Sequence, residues 1–158
     1  MADEKKIELA VKVYNTLCNA IENRSWKYAK DDEKLIVNFG VSGDDIAMKF
    51  IIVVDVERQL IRLLSPMPYK MSEGKRVEGA IATCVASFGM VDGSFDYDLS
   101  DGSIIFRMTA SFRESLIGEE LFGYMIDCSC AMVDLFNDQF LAIDKGMMSI
   151  SDFIAKRT

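Results

Sequence analysis

Aspartates supply the densest potential chemistry in this sequence. Asp96-x-Asp98-x-Ser100-Asp101-Gly102 sets oxygen ligands at alternate positions beside a glycine. That is how a calcium loop of the EF-hand kind begins. Such a loop needs oxygens at its first, third and fifth positions, glycine at the sixth and a bidentate glutamate at the twelfth. Counted from Asp96, the sixth residue is Asp101 and the twelfth is Arg107, a cation where the metal needs a carboxylate. A hairpin fits better. With Asp101-Gly102 as a two-residue turn, Leu99 faces Ile104, Tyr97 faces Phe106 and Phe95 faces Met108. On the other side Asp96 faces Arg107 and Ser94 faces Thr109. The acids then belong to a turn and a solvated face, and no metal is expected.

Other motifs with catalytic potential are incomplete. Ser72-x-x-Lys75 has the spacing of a serine–lysine nucleophile pair, and Ser100-Asp101-Gly102 resembles its partner motif. The third element, Lys-Thr-Gly, is missing. Gly40-Val41-Ser42-Gly43 begins like a nucleophile elbow, but Asp44 stands where the last glycine belongs. Gly74-Lys75 lacks the upstream glycine of a phosphate loop, since Tyr69 occupies that place. The pairs Asp31-Asp32 and Asp44-Asp45 lie in hydrophilic turns. The chain contains no histidine, the commonest general base and metal ligand. The expectation is a protein without enzymatic activity, cofactor or metal.

Bulk properties bound the class. The chain has 158 residues, enough for one self-sufficient core, and the expectation is a single domain over 1–158. With 18 basic and 25 acidic residues the net charge is −7. That charge disfavours nucleic acid and anionic membranes and favours basic protein segments. No apolar run reaches the roughly 18 residues of a membrane span. The charged start MADEKKIELA lacks a signal-peptide core, so the expected location is cytoplasmic. Four cysteines then read as reduced and structural. Cys18 and Cys84 are expected on buried helix faces. Cys128 and Cys130, two apart on a helix, face different ways.

Periodicity supplies the elements. Ile7, Val11, Tyr14, Cys18 and Ile21 recur at helical steps over 4–22. Alternation about Trp26 and Tyr28, then Leu35-Val37-Phe39-Val41, then Met48-Phe50-Ile52-Val54, then 59–65 reads as a four-strand antiparallel meander. Pro66 and Pro68 are expected to end the sheet run. Ser72 is a candidate N-cap for a second helix carrying Val77, Ile81, Cys84 and Phe88 inward and closed by a left-handed Gly89. After the hairpin a third helix runs over about 118–145, and 149–156 suits a short tail helix.

The third helix is apolar on two fronts. Leu121, Met125, Cys128, Met132, Leu135 and Ile143 form one stripe. Phe122, Ile126, Val133 and Phe140 form another about 100° round, a candidate helix interface. Glu120, Asp127, Asp134 and Asp138 make a narrow acidic stripe. The meander also has surplus apolar residues. Ile36, Ile51, Val53, Ile61, Leu63 and Ile105 are expected on the sheet face away from the first core face, as a candidate partner-binding surface.

The order of elements resembles the YbjN-domain family of bacterial sensory transduction regulators, and the related fold of type III secretion chaperones. SWKYAKDDEKLIVNF, GDDIAMKFIIVVD, LLSPMPYKMSEGKRVEGA and GSFDYDLSDGSIIFR carry the resemblance, over about residues 5–146. Four meander strands favour the YbjN side, since secretion chaperones typically have three. The resemblance implies an α+β fold in helix, four strands, helix, two strands, helix order, with helices on one face of an antiparallel sheet. It also implies a homodimer that acts by binding a protein or peptide partner. A small-molecule sensor and a secretion chaperone proper are the alternatives.

Overall fold

The computed structural model describes residues 3–157. Met1, Ala2 and Thr158, the ends of the expected single domain, lie outside the described residues. Helix α1 is Glu4–Asn23, followed by strands β1 (Tyr28–Asp31), β2 (Ile36–Ser42), β3 (Ala47–Asp55) and β4 (Leu60–Lys70). A single 3-10 turn, Glu73–Lys75, leads into α2 (Arg76–Phe88). Then come β5 (Ser94–Asp98), β6 (Ser103–Ser111), α3 (Glu119–Asp144) and α4 (Ile150–Ala155). The six strands form one antiparallel sheet in the order β1-β2-β3-β4-β6-β5, and the helices pack on one of its faces. This is the expected α+β architecture. Among the described residues no helix is long and apolar enough to cross a membrane.

Alternation decides which side chains meet the helices. Val37 and Phe39, Phe50, Ile52 and Val54, and Phe106 and Met108 all point inward and are buried. Helix α1 meets them with Ala10, Val13, Tyr14, Leu17 and Ile21. Tyr14, Cys18 and Ile21 of the expected stripe are buried, whereas Ile7 and Val11 are exposed, so only the N-terminal part of the stripe turns outward. Helix α3 contributes Phe122, Ile126, Val133 and Phe140, all essentially inaccessible. At roughly 1.5–3 kcal/mol for each large apolar side chain buried, this layer dominates the stability.

The prolines do not end the sheet. Strand β4 runs on through Pro66 and Pro68 to Lys70. The ladder to β3 stops at Ile51↔Leu64, while the ladder to β6 continues irregularly past Pro66↔Ile105. A residue without an N–H fits where pairing is one-sided or irregular.

The β5–β6 hairpin forms, but two residues away from the expected register. Phe95 pairs with Phe106, Tyr97 with Ile104, and Asp98 closes the ladder with Ser103. The loop has four residues, not two. Its device recurs: Asp31↔Ile36, Asp55↔Leu60 and Asp98↔Ser103 each close a strand-ending aspartate onto the fifth residue beyond it. Each aspartate accepts backbone N–H bonds from its own loop, and each fourth loop residue (Leu35, Gln59, Gly102) has positive φ. The shift of two preserves both faces, because side chains alternate with period two. Arg107 therefore still reaches Asp96, diagonally, through two bonds of 2.6 and 3.0 Å.

Candidate functional site

Helix α2 is turned opposite to the hydrophobic expectation. Its sheet-facing stripe is Gly79, Ala82, Thr83 and Ala86, all buried. Thr83 satisfies its hydroxyl on the Gly79 carbonyl at 2.9 Å. Ser87 accepts the Phe95 N–H at 2.8 Å and pins the helix to β5. Small residues let the helix axis approach the sheet, and the larger stripe is left outside. Val77 is 67% exposed, Phe88 93% and, just beyond, Val91 99%. Cys84 is exposed rather than buried, and Gly89 has an ordinary right-handed φ of −83°. Ser72 gives α2 no side-chain cap. Its N–H and hydroxyl both donate to Asp144, at 2.6 and 2.7 Å.

The ridge on α2 borders an open groove of about 1000 Å³ between α2, α3 and α4. Val85, Phe88 and Met90 make one wall, and Cys128, Met132 and Leu135 of α3 make the floor. Lys156 and Arg157 stand beyond α4 at one end. A shallower depression of about 350 Å³ runs from Cys84 and Val85 past Ile81 to Val77 and Leu99. The two share Cys84 and Val85, so the apolar surface is continuous. It exceeds the scattered single apolar residues that any surface carries.

Helix α4 is held by aromatic contacts. Phe153 is fully buried and lies 6.0 Å from Phe140 and 6.5 Å from Phe136, ring centre to ring centre. The Arg157 guanidinium lies 3.6 Å from the Phe153 ring centre and 4.9 Å from that of Phe136. It donates to the Phe153 carbonyl at 2.7 Å and to Gln139 Oε1 at 2.5 Å.

The expected helix interface is not free. Phe122, Ile126, Val133 and Phe140 are covered within the chain, where α3 lies against β4, β6 and α1. Of the other stripe, Met125 and Ile143 are buried, while Cys128, Met132 and Leu135 reach the groove. The acidic stripe is partly spoken for. Asp127 takes both Arg24 terminal nitrogens at 2.7 and 2.9 Å, and Asp134 accepts the Asp44 N–H at 3.3 Å.

The expected partner face of the sheet divides. Ile61 and Leu63 are fully buried on the helix side, because they pair with Val54 and Ile52. Leu60, Arg62 and Leu64 take the outer positions instead, and an apolar run on both faces of β4 hid this parity. Ile36, Ile51, Val53 and Ile105 do lie on the open face. There they are half-buried against one another and against Leu64 and Pro66.

The motifs with catalytic potential are not assembled. Ser72 is bonded to Asp144, while the Lys75 ammonium sits 2.9 Å from Glu78. Asp98 and Asp101 spend their oxygens on their own turn and on Lys70. Among the described residues no three His, Cys, Asp or Glu side chains are placed to hold a metal ion. Shifted ionisations have structural causes. Burial, reinforced by Asp127 and Asp134, pushes the Cys130 thiol up to about 11. A hydrogen bond to Asp92, with that carboxylate's charge, pushes the Tyr124 hydroxyl up. Sequence reasoning missed the groove because it placed the larger apolar stripe of α2 inside. The signal available was the helical spacing of Gly79, Ala82, Thr83 and Ala86.

No protein-family model matches the chain, and no curated protein sequence does either. A solved structure does. It is that of YbjN from E. coli, described as "a putative transcription regulator", with a TM-score of 0.57 over 79% of this chain and 91% of that one. Sequence identity is 9%. The likeness is one of fold. The resemblance read from the sequence therefore holds as a shared architecture, with no family membership shown by sequence.

Proposed function

We propose that this protein is a non-catalytic binding module that docks an apolar segment of a partner protein on its helical face. One observation carries the reading: α2 turns Val77, Ile81 and Phe88 to solvent, continuous with the α2–α3–α4 groove. Covering these three side chains supplies roughly 4.5–9 kcal/mol gross. Association costs about 4–15 kcal/mol, so a useful affinity also needs polar contacts. A regulatory role agrees with the description of the structural neighbour as a transcription regulator. A net charge of −7 suits protein contact better than a phosphate backbone.

The groove volume also falls at the top of the range for small-molecule sites, about 300–1,000 Å³, which supports a ligand sensor as the second reading. The protein reading is preferred because the apolar surface continues outside the groove to Val77 and Leu99, beyond one small molecule's reach.

The test is an NMR titration of isotope-labelled protein with a synthetic amphipathic helix bearing a leucine face. Shifts should concentrate in 77–92 and 124–139. Shifts at Ile36, Ile51, Val53 and Ile105 instead would move the docking site to the open sheet face. Light scattering across a dilution series separates a second copy of this chain from a different partner.

A further inference from the structure

Resting on that reading, we infer that the docked segment is an acidic amphipathic helix, whose carboxylate pairs with Lys156 and Arg157 at the α4 end of the groove. Net charge alone pointed to basic partners. The groove departs from that average. Its walls carry two cations, Lys156 and Arg157, and one carboxylate, Asp92. Asp92 already accepts the Tyr124 hydroxyl. Asp152, the acid of α4, does not line the groove.

Neither cation is neutralised by a described residue. Among the described residues no carboxylate lies within ion-pair distance of Lys156 or Arg157. Arg157 is also fixed in place. It stacks on Phe153 and Phe136 and spends two N–H donors on the Phe153 carbonyl and Gln139. A guanidinium has five donors, so three are not taken by any described residue. Burial by its surroundings holds its pKa below the usual arginine range, as expected for a cation short of a counter-charge. A preoriented, partly desolvated arginine is the side chain best suited to carboxylate.

The rest of the trough suits a helix. Cys128, Met132 and Leu135 repeat along its floor at four- and three-residue steps. Methionines in the floor and wall (Met90, Met132) adapt to irregular apolar anchors. Helix-in-groove recognition reads anchors at the same spacing on the guest.

The experiment compares three fluorescent helical peptides with one leucine face and glutamate, glutamine or lysine at the polar positions. Affinities come from anisotropy. The glutamate peptide should bind native protein at least about tenfold more tightly than the lysine peptide, about 1.4 kcal/mol. The gap should shrink with added salt. Lys156→Glu should narrow or invert it, and among the described residues the Lys156 side chain makes no hydrogen bond or ion pair whose loss would disturb the fold; its backbone N–H, which caps α4 on the Asp152 carbonyl, is kept in the variant. Equal affinities for all three peptides, abolished together by Phe88→Ser, would overturn the charge inference and leave the docking surface standing. Absence of binding by every peptide would overturn both.

Discussion

A Cβ placed on Gly79 would lie 2.7 Å from the Tyr97 hydroxyl oxygen and 2.7 Å from Met71 Cγ. This close approach of α2 to β5 is what keeps the helix's small stripe inside and its large stripe out. The Tyr97 hydroxyl, buried there, has no hydrogen-bond partner among the described residues. Gly79→Ala should therefore lose stability by about 1–2 kcal/mol, although alanine is the better helix former by about 1 kcal/mol. Tyr97→Phe alone should cost little, since it removes an unpaired polar atom. Combined, the two should cost less than their sum. Urea midpoints decide it; a stabilising Gly79→Ala would mean the contact is slack.

Ile51 and Ile61, alike in the sequence, sit on opposite faces. Ile61→Asp places a charge in the fully buried layer and should unfold the protein. The penalty for an unpaired buried charge is several kcal/mol, against a total of about 5–15. Ile51→Asp, on the open face, should keep the far-UV circular dichroism spectrum and fold with reduced stability. Unfolding of both variants would show that the open face is covered.

The three repeated turns give a paired test. Gln59 holds φ of 52°, a left-handed conformation that costs a side-chain-bearing residue about 1–2 kcal/mol. Gln59→Gly should raise the urea midpoint or leave it unchanged. Gly102→Ala should lower it sharply. A Cβ there meets the Met71 carbonyl oxygen at 2.3 Å, and φ is 79°. The opposite ordering would contradict the turn geometry.

Asp144 ties the end of α3 to the start of the α2 segment. Burial alone would raise its pKa. Ser72's N–H and hydroxyl, with Lys145 and Lys75, outweigh that and hold it below the ordinary carboxylate value. A depressed folded pKa gives stability that is fully present above the unfolded value, about 3.9, and lost as pH falls through the folded one. Asp144→Asn should therefore be less stable at pH 7, with the difference shrinking as pH drops below about 4. A gap that stays constant in acid would remove the ionised carboxylate from the account.

Much of the fold was legible, for identifiable reasons. Long alternating strands and the 26-residue α3 carry periodicity that survives any tertiary context. What was missed had two equally periodic answers. In α2, Val77-Ile81-Cys84-Phe88 and Gly79-Ala82-Thr83-Ala86 both trace helix faces. Hydrophobicity favours the first, and close packing on β5 selects the second. In β4, Ile61-Leu63 and Leu60-Leu64 both alternate, and only pairing with Val54 and Ile52 breaks the tie. In the hairpin, Asp101-Gly102 is a strong local turn signal. The aspartate-led loops after Asp31 and Asp55 held the template for its true length. The groove follows from the α2 inversion, so placing α2 the other way round hides it.

Alkylation of Cys84 tests the outward face of α2 and its role together. Cys18 is buried, and burial raises the Cys128 and Cys130 thiols, which slows both. Native protein should show one fast-reacting thiol, absent in Cys84→Ser. Adding the leucine-faced peptide should slow that reaction in proportion to the fraction of protein left free. A Cys84 that reacts only after unfolding, or one that stays fast while the peptide is bound, would contradict the account.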